Sequence, residues 1–267
     1  MTADLFAIRS VLFLPASNPR AIDKARGSAA DLVVLDLEDA VKPDDKAAAR
    51  SAAVEAVGGE WPMPVAIRAN AIGSEWHSLD VDAVSRSGAQ FAVLPRTASA
   101  HLLRGFREAV GKPALAMVET AGGVLAAADI ASEAAGLIAG TNDLAADLCL
   151  PAGAGRQPLH TALQMMVLAA RAAGIPVFDG VFNDLDDLDG FATECREGRA
   201  LGFDGKSLIH PSQIEPCNRA FLPSQQEVDR AQRLVDAYGG GAERFEGQMI
   251  ERMHVAAAQR VLERAGG

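Results

Sequence analysis

The sequence predicts an α/β fold, a (β/α)8 TIM barrel with a C-terminal helical lid, and two observations carry this prediction. Short apolar runs alternate with longer, Ala-rich helical stretches, as in repeated βα units. Several runs are apolar at consecutive positions, which is typical of parallel strands covered on both faces. Eight such runs occur, at residues 10–14, 32–35, 65–67, 91–94, 115–118, 137–139, 177–178 and 207–209.

The length of the chain agrees with a barrel. A closed barrel needs about 250 residues, and this chain has 267. Eight βα units favour a closed barrel over an open doubly wound sheet, although the periodicity alone is compatible with both. Neither a G-x-G-x-x-G nor a G-x-x-x-x-G-K-[ST] pattern follows the first run, so a dinucleotide site and a P-loop lose support.

The helices are predicted from their end signals. A helix over residues 44–57 begins with carboxylates, and one over residues 157–173 is closed by Gly174 and Pro176. Beyond Pro223 the alternation ends, and Ser224 can cap a helix that runs to Tyr238. Three glycines at 239–241 then break the chain before a last helix at about 248–264. We therefore expect a catalytic barrel over residues 1–222 and a helical lid segment over 223–267.

Composition excludes several classes of protein. The formal net charge is −10, so no electrostatic footprint for nucleic acid or an anionic membrane is present. Cys149, Cys195 and Cys217 lack the paired spacing of a disulfide framework or a zinc site. The N-terminus carries no basic and apolar leader pattern, and no stretch of about 18 uncharged apolar residues occurs. We expect a cytoplasmic protein with small-molecule partners.

Polar residues directly follow most of the apolar runs, and in a barrel this position is the mouth that carries the active site. They are Asp36, Glu38, Asp39, Arg68, Asn70, Arg96, Glu119, Asp143 and Asp179. Several carboxylates at one mouth repel each other unless a cation neutralises them. Oxygen ligands without His or Cys favour Mg2+ over Zn2+.

Each of these residues has a structural alternative. An Asp after a strand is often the N-cap of the next helix, which applies to Asp36 and Asp179. Arg68 needs an anionic partner that is either an internal carboxylate or a substrate carboxylate. His210 precedes Pro211 and either fixes a turn or takes part in catalysis. Glu119 is a poor N-cap residue, so a functional role is favoured there.

In these residues the sequence resembles the citrate lyase β-subunit family, which includes malyl-CoA and citramalyl-CoA lyases, within the HpcH/HpaI aldolase superfamily. Two segments are suggestive individually, namely residues 36–41, with two aspartates and a glutamate, and residues 209–212. The matching segments follow one another in the family's order along almost the whole chain, at residues 9–15, 34–41, 67–70, 118–121, 140–144 and 205–211.

The resemblance implies a Mg2+-dependent carbon–carbon lyase, assembled as a homotrimer or hexamer. Its metal ligands would be Glu119 and Asp143, with Glu119 also counted among the catalytic and substrate-contacting groups. Arg68 would be catalytic by holding the substrate carboxylate. A 3-hydroxyacyl-CoA such as citryl-, malyl- or citramalyl-CoA would give a 2-oxo acid and an acyl-CoA, or the reverse.

By the same resemblance, four further residues receive roles. Phe13, Arg20 and Lys24 fall where relatives contact CoA, and the two cations are four residues apart on one helix face. Ordinary surface charges are the alternative for them. Glu251 stands where relatives usually carry Asp, a catalytic acid that reaches the thioester from a neighbouring subunit. A solvated Glu on a terminal helix is its alternative.

Two departures from the family leave the substrate open. Asn142 stands where the family often has Glu, and Arg96 where it often has Lys. Two other functions fit the same residues: an aldolase on free 2-oxo acids without CoA, and a non-catalytic barrel subunit of a larger complex.

Overall fold

Eight parallel strands close into a barrel in chain order in the computed structural model, which describes residues 4–266. The first strand pairs with the last, since Ser10 lies beside Lys206, and this contact closes the barrel. The predicted fold class is confirmed, and the open-sheet alternative is wrong. The strands are β1 Ser10–Pro15, β2 Leu32–Asp36, β3 Val65–Arg68, β4 Phe91–Leu94, β5 Ala114–Val118, β6 Gly136–Ala139, β7 Val177–Asp179 and β8 Gly205–Leu208.

Helices follow the strands and form the outer layer of the barrel. They are α1 Pro19–Arg26, α2 Lys46–Val57, α3 His77–Arg86, α4 Ala100–Val110, α5 Ala121–Leu125, α6 Ala127–Ala131, α7 Thr141–Asp147, α8 His160–Ala173, α9 Leu188–Leu201 and α10 Ile214–Phe221. Short 3-10 turns occur at Leu5–Ala7, Pro43–Asp45, Gln157–Leu159 and Pro211–Gln213. None of the helices within residues 4–266 is long and apolar enough to cross a bilayer.

Two predicted helices begin later than expected. Residues 43–45 and 157–159 are 3-10 turns, and the α-helices start at Lys46 and His160. A proline lies in the first positions of each turn, where its missing N–H costs nothing. The predicted end of the second helix is confirmed: Gly174 has φ 68° and donates its N–H to the carbonyl of Ala170.

The barrel interior is filled by alternate residues of each strand. Phe13 lies beside Val34, Val34 beside Ala66, and Ala66 beside Phe91, and all four belong to one buried apolar cluster. Side chains point to opposite faces at successive strand positions. Residues two positions beyond this cluster therefore continue the interior face towards the C-terminal mouth.

Residues Arg219–Gly267 form a second compact unit, and the division falls within α10. This unit contains α11 Gln225–Ala237, an antiparallel hairpin of β9 Glu243–Phe245 and β10 Gln248–Ile250, and α12 Arg252–Gly266. Ser224 caps α11 as predicted, in a capping box with Glu227. The expected barrel boundary at residues 222 and 223 stays a prediction.

The last helix is shorter than predicted. Residues 248–250 form a strand, because Glu246 and Gly247, with φ of 48° and 82°, make a two-residue turn that returns the chain onto β9. Ile250 then packs with Ala231, Leu234 and Ala258 in the core of this unit. Glu251 consequently lies in the connection between β10 and α12.

Candidate active site

A cavity of about 310 Å³ opens at the C-terminal mouth of the barrel. Asp36, Arg68 and Glu119 line it, and each lies two residues beyond a member of the interior cluster. The alternation that fills the barrel with apolar side chains thus places these charged groups at its mouth. The cavity is also lined by Phe13, Asp39 and Asp143.

Glu119 follows β5 and is almost fully buried. Thr120, and not Glu119, caps α5, so the carboxylate is free for another role. Its Oε1 accepts a 2.6 Å hydrogen bond from the backbone N–H of Arg96. Burial raises the pKa of Glu119 to about 7; the Arg96 N–H lowers it, and the Asp143 carboxylate adds to the rise. A side chain at Gly140 would collide with this carboxyl group, which explains the glycine.

Asp143 lies in the first turn of α7 and is partly exposed at the cavity. Its Oδ1 accepts from Nη1 of Arg96 at 3.2 Å. Within residues 4–266, no three His, Cys, Asp or Glu side chains are grouped as a metal site. Of the four carboxylates that line the cavity, Asp36 and Asp39 accept from Arg68, and Glu119 and Asp143 form the remaining pair. Such a pair suits Mg2+, which commonly takes one or two carboxylates and completes its shell with water and substrate oxygens.

Arg68 ends β3 and is buried. Its Nε and Nη2 each donate a 2.6 Å hydrogen bond to Asp36, so the internal ion pair considered for this residue is present. Burial alone lowers the pKa of Arg68, but the neighbouring carboxylates hold it above its ordinary value. The guanidinium lies 5.4 Å from the ring centre of Phe13. The bidentate edge binds Asp36, and Nη1 makes only longer hydrogen bonds, to Oδ2 of Asp39 at 3.4 Å and to the sulfur of Met117 at 3.5 Å. A substrate carboxylate would therefore bind at Nη1 in competition with Asp39.

Glu38 is a carboxyl group of the mouth whose surroundings the sequence did not predict. Its Oε2 lies 3.0 Å from Nη1 of Arg68, but the geometry is not that of a hydrogen bond, and this buried oxygen has no hydrogen-bond partner. Burial raises the pKa of Glu38 to about 8, because Arg68 offsets only part of that effect and three neighbouring carboxylates add to it. The raised pKa therefore favours the protonated form of Glu38 at neutral pH.

A buried lysine that the sequence did not single out supports the segment that carries Glu38. Nζ of Lys46 donates to the carbonyls of Leu37 and Glu38, both at 2.7 Å, and to Oδ1 of Asn70 at 2.6 Å. Asn70 in turn donates to the carbonyl of Leu37 at 2.8 Å. Lys46 lies nine residues beyond Leu37, inside a helix, and no local pattern distinguishes it from a surface lysine.

Asp179 does not belong to the site, although it directly follows an apolar run. It comes one position after Phe178, an interior residue, so it points outwards to the helices. There it binds Lys206 at 3.0 Å and Arg156 at 2.8 Å, and it is fully buried. The alternation of side chains along β7 could have separated it from the mouth residues.

The remaining candidates are placed as follows. Arg20 and Lys24 are exposed on α1, and neither forms an ion pair with the part of the chain that the structure describes. His210 caps the 3-10 turn Pro211–Gln213, as the structural alternative expected. The backbone N–H of Glu251 donates to Nδ1 of His254. The roles of Arg20, Lys24 and Glu251 stay predictions.

Comparisons with known proteins agree with this architecture. The family model of HpcH/HpaI aldolase/citrate lyase matches residues 9–211. The chain is 39% identical to (3S)-malyl-CoA thioesterase of Cereibacter sphaeroides over 268 residues, which cover 96% of this chain and 94% of the relative. It is 32% identical to citrate lyase subunit beta of Leuconostoc mesenteroides subsp. cremoris over 280 residues, with 96% and 93% covered.

Among solved structures, the chain resembles CitE from Mycobacterium tuberculosis in complex with magnesium, acetoacetate and coenzyme A. The TM-score is 0.88 at 35% identity, with 98% of this chain and 100% of that chain covered. The family expected from the sequence is confirmed. The chain belongs to the HpcH/HpaI aldolase/citrate lyase family.

Proposed function

We propose that this protein is a Mg2+-dependent carbon–carbon lyase that acts on a 3-hydroxyacyl-CoA thioester and gives a 2-oxo acid and an acyl-CoA, or catalyses the reverse condensation. One observation carries the proposal: the Glu119 and Asp143 carboxylates and the Arg68 guanidinium line one cavity. The similarity to a CitE structure that contains magnesium, acetoacetate and coenzyme A supports it.

Glu119 and Asp143 are the proposed magnesium ligands. Glu119 is held in place by the N–H of Arg96, and the Asp143 carboxylate faces the same cavity. When bound, Mg2+ would polarise the oxygen of the 2-oxo acid and so favour the breaking or making of the adjacent carbon–carbon bond. The ionised form of Glu119 is the ligand, so metal binding is favoured above the pKa of about 7.

Arg68 lines the same cavity, and the carboxyl group of Glu38 lies beside its guanidinium. Nη1 of Arg68 is the cation available to the carboxylate of a 2-oxo acid, while Asp36 keeps the guanidinium in a fixed orientation. A protonated Glu38 beside it avoids adding a fifth carboxylate charge to those of Asp36, Asp39, Glu119 and Asp143, in a site that must accept an anionic substrate. Arg68 is thus the positive charge that lines this cavity, in a chain of net charge −10.

The cleavage itself requires proton transfer at two places. The hydroxyl group of the substrate loses its proton, the carbon–carbon bond breaks towards the thioester, and the carbon next to the thioester gains a proton. Glu251 of a neighbouring copy of the chain is the proposed acid and base at that carbon. The proposed active form is therefore an oligomer, a homotrimer or a hexamer. Arg20 and Lys24 are proposed to bind CoA phosphates, since α1 leaves both cations without an internal partner among residues 4–266.

A second candidate is hydrolysis of the same kind of thioester. It is favoured by the relative of 39% identity, which is a malyl-CoA thioesterase. Hydrolysis releases free CoA and a hydroxy acid, and no 2-oxo acid appears. The two reactions share the substrate class and differ in their products.

A product analysis tests the proposal. Malyl-, citramalyl- and citryl-CoA are incubated with the purified protein, with Mg2+ or with EDTA, and the 2-oxo acid and the free CoA thiol are both measured. The lyase proposal expects Mg2+-dependent 2-oxo acid in equal amount to the new acyl-CoA. Free thiol without 2-oxo acid would establish the thioesterase instead, and cleavage of free hydroxy-oxo acids alone would establish an aldolase without CoA.

A further inference from the structure

Arg96 contacts both proposed metal ligands. Its backbone N–H donates to Oε1 of Glu119 at 2.6 Å, and its side-chain Nη1 donates to Oδ1 of Asp143 at 3.2 Å. The sequence singled out Arg96 by its place after β4 and as a departure from the Lys that the family often has there. It is thus connected to the carboxylate pair by its main chain and its side chain together.

The backbone at Arg96 is unusual. Its φ is 47°, in the left-handed region that a residue with a Cβ rarely adopts. The next residue fixes this geometry, because Thr97 donates its N–H to the carbonyl of Met117 at 2.9 Å and its hydroxyl to the carbonyl of Leu94 at 2.8 Å. Strain of this kind persists where the surrounding structure enforces it, and it is common at functional sites. Here it aims the Arg96 N–H at Glu119.

The side chain of Arg96 supplies a positive charge where the metal is expected to bind. Two carboxylates at one mouth repel each other, and a cation between them relieves that repulsion. In this structure the cation beside Asp143 is the guanidinium of Arg96, at an ion-pair distance of 3.2 Å. The side chain is 49% exposed, so it can leave without breaking the packing of the barrel.

We propose that Arg96 is a built-in counter-cation of the magnesium site, whose guanidinium occupies Asp143 until the metal displaces it. This inference depends on Glu119 and Asp143 being the metal ligands, as proposed above, and adds that the Arg96 guanidinium competes with the metal for Asp143. Metal binding then requires Arg96 to release Asp143 and to stay near a divalent cation, which weakens the metal affinity. Arg68 is the proposed partner of the carboxylate next to the oxo group, so the second carboxylate of oxaloacetate can bind the displaced Arg96 guanidinium and relieve this penalty. Metal and oxaloacetate should therefore each strengthen the binding of the other.

The test measures metal affinity rather than turnover. Mn2+ is the probe, because it prefers the same oxygen ligands as Mg2+ and its free ion can be counted by electron paramagnetic resonance. Arg96→Asn removes the charge, and Asn tolerates a left-handed backbone better than most residues. Arg96→Lys keeps the charge and serves as the matched control, and Arg96→Gln is a second uncharged variant in case the first does not fold.

We expect the uncharged variants to bind Mn2+ two- to five-fold more tightly than the wild type at pH 8, and Arg96→Lys to bind it about as the wild type does. This range is the fold-change that corresponds to a partly exposed ion pair of about 0.4 to 1 kcal/mol. Oxaloacetate should tighten Mn2+ binding more in the wild type than in Arg96→Asn.

The outcomes separate this inference from the proposed function. Equal or weaker Mn2+ binding by both uncharged variants overturns the role of Arg96 and leaves the metal site in place. No Mn2+ binding by any of the proteins, with or without oxaloacetate, overturns the metal site and the competition together.

Discussion

Replacing Glu38 by Gln should stabilise the metal-free protein at high pH, because the amide has the shape of the protonated acid. A carboxyl group whose pKa is higher in the folded than in the unfolded protein stabilises the fold fully below its unfolded pKa, and this contribution is lost as the pH rises towards its folded pKa. For Glu38 the window runs from 4.5 to about 8. At about 1.4 kcal/mol per pH unit, this window corresponds to at most about 5 kcal/mol of unfolding free energy.

We expect a smaller gain, about 1 to 3 kcal/mol at pH 8.5, because water enters a partly open cavity and relieves part of the burial. Urea denaturation in EDTA at pH 5.5, 7 and 8.5 measures it, with Glu108→Gln on the exposed face of α4 as the control. Glu38→Gln should exceed the wild type by the smallest margin at pH 5.5, and the margin should widen at pH 7 and again at pH 8.5. A difference that is the same at all three pH values would refute the argument that Glu38 is buried as the neutral acid.

Three further predictions concern residues with different roles. Arg68→Lys should lower kcat/KM by the equivalent of about 2 to 4 kcal/mol. The reason is that a lysine cannot bind Asp36 in two places and still offer a third donor to the substrate. A fall in stability with unchanged kcat/KM would make Arg68 purely structural. Lys46→Met should lower the unfolding free energy by about 1 to 3 kcal/mol, since it leaves the buried Oδ1 of Asn70 unpaired and takes one donor from the Leu37 and Glu38 carbonyls. The exposed Lys42→Met should change it little, and equal effects in urea denaturation would contradict the support role. Glu251→Gln should be inactive alone and regain turnover in mixed oligomers with subunits that lack Glu119, and wild-type turnover by the pure variant would remove Glu251 from the mechanism.

The barrel and part of its mouth could be predicted because both depend on alternation along the strands. Consecutive apolar residues mark strands covered on both faces, and the polar residue that ends each run lies at the mouth. Side chains alternate between the two faces of a strand, and this period of two places Arg68 and Glu119 at the mouth. It places Asp179 on the outer face, because Asp179 comes one position after the interior residue Phe178.

The rest depended on distances that a sequence does not contain. The neutral state of Glu38 comes from burial among residues of three different strands, and the support from Lys46 comes from a helix that folds back over the loop. The φ of Arg96 reflects the hydrogen bonds of its neighbour Thr97 with Met117 of β5 and with Leu94 at the end of β4. The hairpin at residues 243–250 was missed because Glu246 and Gly247 are not one of the strongest turn dipeptides.

The location of the metal tests the central claim most directly. Crystals grown with Mn2+ and a 2-oxo acid, measured at the manganese absorption edge, show each manganese ion as an anomalous peak. The account predicts a peak in the cavity at about 2.2 Å from one carboxylate oxygen of Glu119 and one of Asp143, with substrate oxygens and water completing the shell. A fully occupied peak held by other side chains, or a cavity with bound 2-oxo acid and no manganese, would contradict it.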